Sequence, residues 1–133
     1  MQINRLDYYK SINPQRAKEL QQELREKILL QPLPENPKYI AGADISFDRG
    51  SNLLHAAIII LELDTLTSVA RSLASDKTSF PYIPGLLAFR EMPVLIKAWN
   101  QLKLKPDVLL LDGHGIAHPR RMGIATHFGI EVD

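Results

Sequence analysis

The 133-residue sequence predicts a single α/β domain built around a mixed β-sheet. Three strand-like segments follow one another with only short turn clusters between them, which is typical of an antiparallel meander. A helical segment then leads to a fourth, apolar strand, and a crossover of this kind places that strand parallel to an earlier one. The predicted order is therefore helix, three strands, helix, strand, helix.

The first element is an amphipathic helix predicted over 13–30. Asn13 is a good N-cap and Pro14 fits the first turn. The apolar positions that share one helix face are Ala17, Leu20, Leu24 and Ile28. The helix is expected to stop near Leu30, because Pro32 and the two prolines after it cannot continue a helix.

The three strands of the meander are predicted at 39–47, 54–63 and 66–77. Turn residues at 48–52 and at 64–65 separate them. The third strand is the most polar of the three, so we expect it at the edge of the sheet.

The second half of the chain predicts a helix, a strand and a helix. A proline-rich segment at 80–85 leads into a helix over about 85–102, and Pro93 is expected to bend this helix or shift its start. The fourth strand is predicted at 108–111, and a last short helix at about 120–128.

Composition excludes several classes of protein. The chain has 16 Lys and Arg against 15 Asp and Glu, so its net charge of +1 neither supports nor excludes a nucleic-acid partner. It has no cysteine, which excludes disulfides and thiolate metal sites and fits a reducing compartment. No apolar segment is long enough to span a bilayer, and the N-terminus has no signal-like apolar stretch. We therefore expect a cytoplasmic protein without a membrane partner.

The densest set of chemical groups begins with Asp112, directly after the apolar strand at 108–111. Ligands of open α/β sheets bind in the crevice beyond the strand ends, so this aspartate is a candidate metal ligand. Asp44, in the middle of the first strand, would converge with it if the two strands are neighbours. Two carboxylates without cysteine favour Mg²⁺, with Mn²⁺ as an alternative. An exposed sheet face or a salt bridge for Asp44 and a turn-capping role for Asp112 stay open.

Glu91 is the third candidate carboxylate. It lies early in the predicted second helix, where it would complete a phosphodiester-cleaving metal site. The alternative is that Glu91 and its neighbour Arg90 form a solvated pair on the helix surface.

Two histidines and two arginines follow Asp112. His114 and His118 are interrupted by glycine and proline, so they do not form a helical zinc motif; a proton donor or phosphate contact is the better role for one of them. Arg120 and Arg121 can bind phosphate, and the alternative for this pair is a solvated helix start.

The proline-rich segment predicts a stiff, protruding tip made of Pro81, Tyr82, Ile83 and Pro84. Its functional interpretation is a wedge inserted into a base stack, so that a nucleotide is extruded into a pocket. The glycines that would let a flat base approach the backbone are Gly85, Gly113, Gly115 and Gly123. The alternative is a rigid connector with Tyr82 packed in the core.

Together these motifs resemble the endonuclease V family, which nicks DNA, and in some members RNA, near deaminated purines. The resemblance is carried by residues 42–44, 81–91 and 106–123, and it runs in order from about residue 39 to the C-terminus. It implies an RNase H-like fold, Mg²⁺ as cofactor and a role in DNA repair on deoxyinosine-containing DNA, with RNA as an alternative partner. Cleavage at the second phosphodiester on the 3′ side of the lesion is implied as well.

The resemblance also implies roles for individual residues. Asp44, Glu91 and Asp112 would hold the metal and, with His118, form the catalytic set. Tyr82 belongs to the wedge, with its neighbours Pro81, Ile83 and Pro84. The residues that would line the hypoxanthine pocket are Gly85, Leu87, Gly113 and Ile124. Arg90 and His118 would act near the cleaved phosphate.

The family continues beyond the length of this chain, with a fifth strand that carries a lysine and a later helix that carries a further metal-site aspartate. We therefore expect residues 1–133 to form a truncated RNase H-like domain with an uncovered apolar edge at 108–111. Such an edge predicts lower stability, self-association or completion by another copy. Two alternatives to an active nuclease are a module that recognises deaminated bases without cutting and a structural fragment with neither function.

Overall fold

The computed structural model describes residues 6–132 and contains a four-stranded mixed sheet with helices. The strands are β1 (Tyr39–Phe47), β2 (Leu53–Glu62), β3 (Ser68–Lys77) and β4 (Val108–Leu111), in the spatial order β3-β2-β1-β4. The meander is antiparallel, and β4 lies parallel to β1. The predicted α/β class, the polar edge strand and the parallel fourth strand are confirmed.

The register of β1 separates its two faces. Ala41 and Ala43 point into the core, whereas Gly42 and Asp44 lie on the exposed face. The parallel ladder with β4 ends at the pair formed by Ala43 and Leu111. Each member of this pair is followed by an aspartate. Asp44 within β1 and Asp112 just beyond β4 therefore occupy neighbouring positions.

The N-terminal region holds α1 (Leu6–Ser11), α2 (Pro14–Leu24) and a single 3₁₀ turn at Arg25–Lys27. The Asn13 side chain caps α2 by accepting a hydrogen bond from Arg16 N, as predicted. The predicted helix over 13–30 is too long, because its α-helical part ends at Leu24 and extended backbone follows the 3₁₀ turn.

The central helix α3 (Leu87–Gln101) packs against β2, β3 and α1. Its buried side chains, such as Phe89 and Leu95, meet the buried face of β2, which includes Ile58 and Ile60. The helix begins two residues after the predicted start and continues through Pro93, which is itself buried. Packing against the sheet offsets the hydrogen bond that this proline cannot donate.

The last helix, α4, runs over Ile124–Val132 rather than over 120–128. The chain before it cannot be helical, because Arg121 has a left-handed backbone with φ of +61°. Gly129, one residue beyond the predicted end at 128, lies inside the helix. One glycine inside a helix costs about 1 kcal/mol relative to alanine, which the packing of α4 can offset.

In the part of the chain that the structure describes, no helix is both long enough and apolar enough to cross a membrane.

Candidate functional site

A cavity of about 150 Å³ lies where the start of α3 meets the loop that follows β4. Apolar cavities of about this volume accommodate a benzene-sized ring. All four residues predicted to line a base pocket are in its wall, namely Gly85, Leu87, Gly113 and Ile124. Ala88 and Met122 also line it and were not predicted, since an apolar residue carries no sequence signal that separates a cavity wall from a core.

Two glycines let the loop after β4 fold tightly beside this cavity. A Cβ atom on Gly123 would stand 1.8 Å from the carbonyl oxygen of His114, and Gly123 N donates a hydrogen bond to Gly115 O over 3.0 Å. Gly113 has φ of +140°, and a Cβ there would approach the Ile124 side chain to 2.9 Å. Larger residues at either position would push the loop away from the cavity.

The three predicted carboxylates reach this region from three elements. Asp112 follows β4 and lines the cavity, and Glu91 lines it from α3. Asp44 does not line the cavity; it borders a separate open depression on the exposed face of the sheet. The structure therefore places Glu91 and Asp112 in one wall and Asp44 beside them on the neighbouring strand.

Electrostatics link Asp44 to the cavity. Burial raises the pKa of Glu91 above its ordinary value, the charge of Arg90 opposes this shift, and the negative charge of Asp44 adds to it. Among residues 6–132, no ion pair includes Asp44 or Asp112, so the salt-bridge alternative for Asp44 finds no support. The Asp44 side chain lies on the exposed face of the sheet, as the other alternative predicts.

The carboxylates fit Mg²⁺ by their chemistry, because all of their donors are hard oxygens. Among the described residues, no three or more acidic or histidine side chains are grouped so that they could hold a metal ion. Magnesium is commonly bound through one or two carboxylates together with water and substrate phosphates, so this arrangement is compatible with it. Magnesium, and manganese as its alternative, stay predictions.

His118 is buried, with 6% of its surface exposed, and both ring nitrogens are engaged. Nε2 donates to the carbonyl oxygen of Gly85 over 2.6 Å, and Nδ1 accepts from Arg120 N over 3.0 Å. Burial lowers the pKa of His118; the Gly85 contact opposes this, and the charge of Arg120 adds to it. Because Nε2 donates and Nδ1 accepts, the ring is in its neutral form here, and proton transfer from Nε2 must first break the Gly85 contact. Its catalytic role stays a prediction.

The arginines expected near phosphate differ in their surroundings. Arg90 is half-buried and donates to the carbonyl oxygen of Phe80 over 2.8 Å. Arg120 is half-buried and donates to Gln21 and to Gly85. Arg121 is exposed. Arg90 and Arg120 therefore bind loop carbonyl or amide oxygens in this structure, and a phosphate contact by any of the three stays a prediction.

Gln21 is the polar residue of this region that sequence reasoning missed. It lies on α2 between the buried Ala17 and Leu24 and is completely buried itself. A polar residue at apolar spacing on an amphipathic helix is the signal that could have identified it.

The proline-rich tip projects from the domain. Pro81 and Pro84 are exposed, and the Tyr82 ring is 65% exposed. Ile83 is partly buried against the core. The alternative in which Tyr82 packs into the core is therefore wrong, and the wedge interpretation stays a prediction.

Comparison with known proteins gives a consistent result. A family model described as Endonuclease V matches residues 22–133. An endonuclease V of Myxococcus xanthus is 48% identical over 120 residues, which is 90% of this chain and 51% of that protein. The chain thus spans about half the length of this curated relative.

Solved structures show the same similarity. The endonuclease V of Streptomyces avermitilis superposes with a TM-score of 0.85 at 37% identity, covering 91% of this chain and 54% of that one. A Ciona intestinalis endonuclease V, crystallised with a DNA containing an inosine followed by a ribo-adenosine, gives a TM-score of 0.80 at 31% identity, covering 90% of this chain and 54% of that one. The mixed sheet and these neighbours agree with the predicted RNase H-like fold.

Proposed function

Because the chain belongs to the endonuclease V family, we propose that it forms the base-recognition face and part of the metal site of a DNA repair nuclease. The substrate is deoxyinosine-containing DNA, cleaved at the second phosphodiester on the 3′ side of the lesion. The observation that carries this proposal is the 150 Å³ cavity with Glu91 and Asp112 in its wall; Gly85, the residue directly after the exposed tip, also lines it.

The cavity has the composition expected of a site for a flat, extruded base. Leu87, Met122 and Ile124 supply apolar contacts, and the glycines expose backbone groups that can bind the edge of the ring. The tip that carries Tyr82 leads straight into Gly85, so a ring inserted into the base stack would lie one short segment away from the pocket.

The carboxylates are the proposed metal ligands. Asp44 and Asp112 would hold Mg²⁺, with Mn²⁺ as a substitute, and Glu91 would complete the acidic group. When bound, such an ion activates water and stabilises the leaving oxygen. Arg121, the exposed arginine of the predicted phosphate set, would approach the DNA backbone from the loop after β4.

The nucleic acid and the compartment are part of the same proposal. The Ciona intestinalis relative was crystallised with inosine-containing DNA, which supports DNA as the partner here, and RNA is the alternative. A cytoplasmic location suits a repair enzyme of this kind, and the lack of cysteine fits a reducing compartment.

An inosine-containing duplex tests the proposal when cutting is assayed with Mg²⁺ and binding with Ca²⁺. Mg²⁺-dependent nicking that Asp44→Ala and Asp112→Ala abolish would identify a nuclease. Asp64→Ala, in the exposed turn before β3, is the matched control and should cut normally. Inosine-selective binding without nicking would identify a recognition module, and the absence of selective binding would refute the proposal.

We also propose that the sheet edge pairs with a second copy of the chain. Within residues 6–132, β4 has β1 as its one strand neighbour, and Leu110 on it is 61% exposed. An open groove of about 520 Å³ runs between β4, α4 and the segment after the 3₁₀ turn. The opposite edge, β3, carries Arg71 and Lys77, and such charges discourage strand pairing. Two β4 edges can pair with each other across a two-fold axis.

A further inference from the structure

A buried amide joins the two loops that line the cavity. Gln21 on α2 has no exposed surface. Its Nε2 donates to the carbonyl oxygen of Gly85 over 2.9 Å, and its Oε1 accepts a hydrogen bond from Arg120 Nε. One side chain therefore binds the loop before α3 and the loop after β4 at the same time.

The Gly85 carbonyl is the centre of this network. Besides Gln21, it accepts from His118 Nε2 over 2.6 Å and from Arg120 Nη2 over 3.2 Å. A carbonyl oxygen has two lone pairs, so these three donors share them, and the contact from Arg120 Nη2 is the longest of the three. Gly85 itself has φ of +86°, and a Cβ on it would stand 3.0 Å from Arg120 Nη2. The backbone at this wall of the cavity is thus held from three directions.

We propose that Gln21 is a positioning residue that sets the spacing of the two loops and thereby the selectivity of the cavity for a flat base. This inference rests on the proposed function. Gln21 does not line the cavity; it acts through Gly85, which does, and through Arg120, whose backbone orients the cavity residue His118.

The chemistry of the amide explains why this residue is glutamine. An amide donates and accepts from the same terminal group, which Gly85 and Arg120 require together. Methionine has a similar length but offers neither strong bond, and it would leave the Arg120 Nε donor without its partner. Ionised glutamate would keep the acceptor for Arg120 and lose the donor for Gly85.

A purely structural role predicts a different result from a positioning role. Loss of folded protein changes how much protein binds DNA, but it does not change the ratio of dissociation constants for two duplexes. A shift in loop spacing changes that ratio, because it alters the shape of the cavity.

The test compares Gln21→Met with Gln22→Met, a neighbour whose side chain is exposed. Dissociation constants for inosine-containing and undamaged duplexes are measured in Ca²⁺. We expect Gln21→Met to lower the preference for inosine by about two- to thirtyfold, the range in which a residue that does not touch the ligand changes the behaviour of a site. Gln22→Met should keep the wild-type ratio, and Gln21→Glu should fall between the two.

A second measurement needs no ligand. Leu86 N donates a hydrogen bond to Ile83 O in the loop before α3, and Arg121 N donates one to His118 O in the loop after β4. Hydrogen exchange of these two amides therefore reports on the two loops. We expect exchange of both amides to accelerate in Gln21→Met and not in Gln22→Met. If Gln21→Met does not fold, Gln21→Glu carries both measurements.

Each outcome decides a separate point. An unchanged preference for inosine in the Gln21 variants, or unchanged exchange in either loop, overturns the positioning role. A wild-type protein without any preference for inosine overturns the proposed function instead, and the exchange data alone then decide whether Gln21 couples the loops.

Discussion

His127 makes the stability of the fold depend on pH. Its ring on α4 is completely buried, with Nε2 2.9 Å from the Tyr9 hydroxyl and with the Phe89 ring edge-on at 5.1 Å between centroids. Nδ1 has no hydrogen-bond partner in the described part of the chain, and the nearby carboxylate of Glu131 stands 4.0 Å from Nε2. Burial lowers the pKa of His127 from 6.5 to about 4, with a smaller contribution from His118.

The sign of the effect follows from these pKa values. Between pH 6.5 and about pH 4 the unfolded chain binds a proton at His127 that the folded chain does not, so the free energy of unfolding falls as the pH is lowered. Below about pH 4 both states bind the proton and the loss levels off. From pH 7 to pH 5 this one group lowers the free energy of unfolding by about 2 kcal/mol. For a chain of this length, that lowers the Tm by about 7 °C.

Thermal and urea unfolding of the wild type and of His127→Gln, each at pH 7 and pH 5 and at constant ionic strength, check the prediction. The variant should be less stable at pH 7, because it loses packing against Phe89, but it should lose about 2 kcal/mol less than the wild type on acidification. His55→Gln, at a partly exposed site on β2, is the matched control and should follow the wild type. Equal losses in the wild type and His127→Gln would refute the reasoning.

The tip, the loop and the sheet edge give three more predictions. Tyr82→Ala should leave the fold intact, because the ring is 65% exposed, and should weaken binding to inosine-containing DNA by about 1–3 kcal/mol, measured by titration in Ca²⁺; unchanged affinity and selectivity would exclude the wedge. Gly123→Ala should lower the free energy of unfolding, measured by urea denaturation, by more than about 2 kcal/mol, because its Cβ would overlap a backbone carbonyl. Gly129→Ala is the control: its Cβ would meet open space, so it should stabilise α4. Leu110→Lys should abolish concentration-dependent association in sedimentation velocity, while Val69→Lys on β3 should not; a wild type that stays monomeric at high concentration would refute edge pairing.

Local patterns were sufficient to predict the strands. The bounds of β1 and β4 agree with the prediction at both ends, because alternation in β1 and the short apolar segment in β4 are bounded by turn residues on both sides. The crossover rule made the fourth strand parallel to an earlier strand without identifying which one. The structure pairs it with β1 and so brings Asp44 and Asp112 to neighbouring positions, although no local signal relates the two residues.

The helix ends depended on contacts that a local pattern does not contain. The short α1 was not predicted; Tyr9 on it is buried against Phe89 and His127, which lie far away in the sequence. The start of α4 is delayed by the left-handed backbone of Arg121 and by the close approach of Gly123 to the loop before it. Tertiary packing, rather than helix propensity, sets both boundaries.

The same distinction applies to the site. Proton transfer or phosphate binding was predicted for His118 and Arg120 from their residue types. The sequence does not show their hydrogen-bond partners. In the structure both side chains donate hydrogen bonds to the carbonyl oxygen of Gly85, and so does Gln21 of α2. A wall held this rigidly can discriminate a base by shape and by backbone groups, and Asp44 and Asp112, the proposed metal ligands, lie outside this hydrogen-bond network. Selectivity and cleavage should therefore separate by mutation: changes in the Gly85 network alter the choice of base, and changes in the aspartates alter cutting.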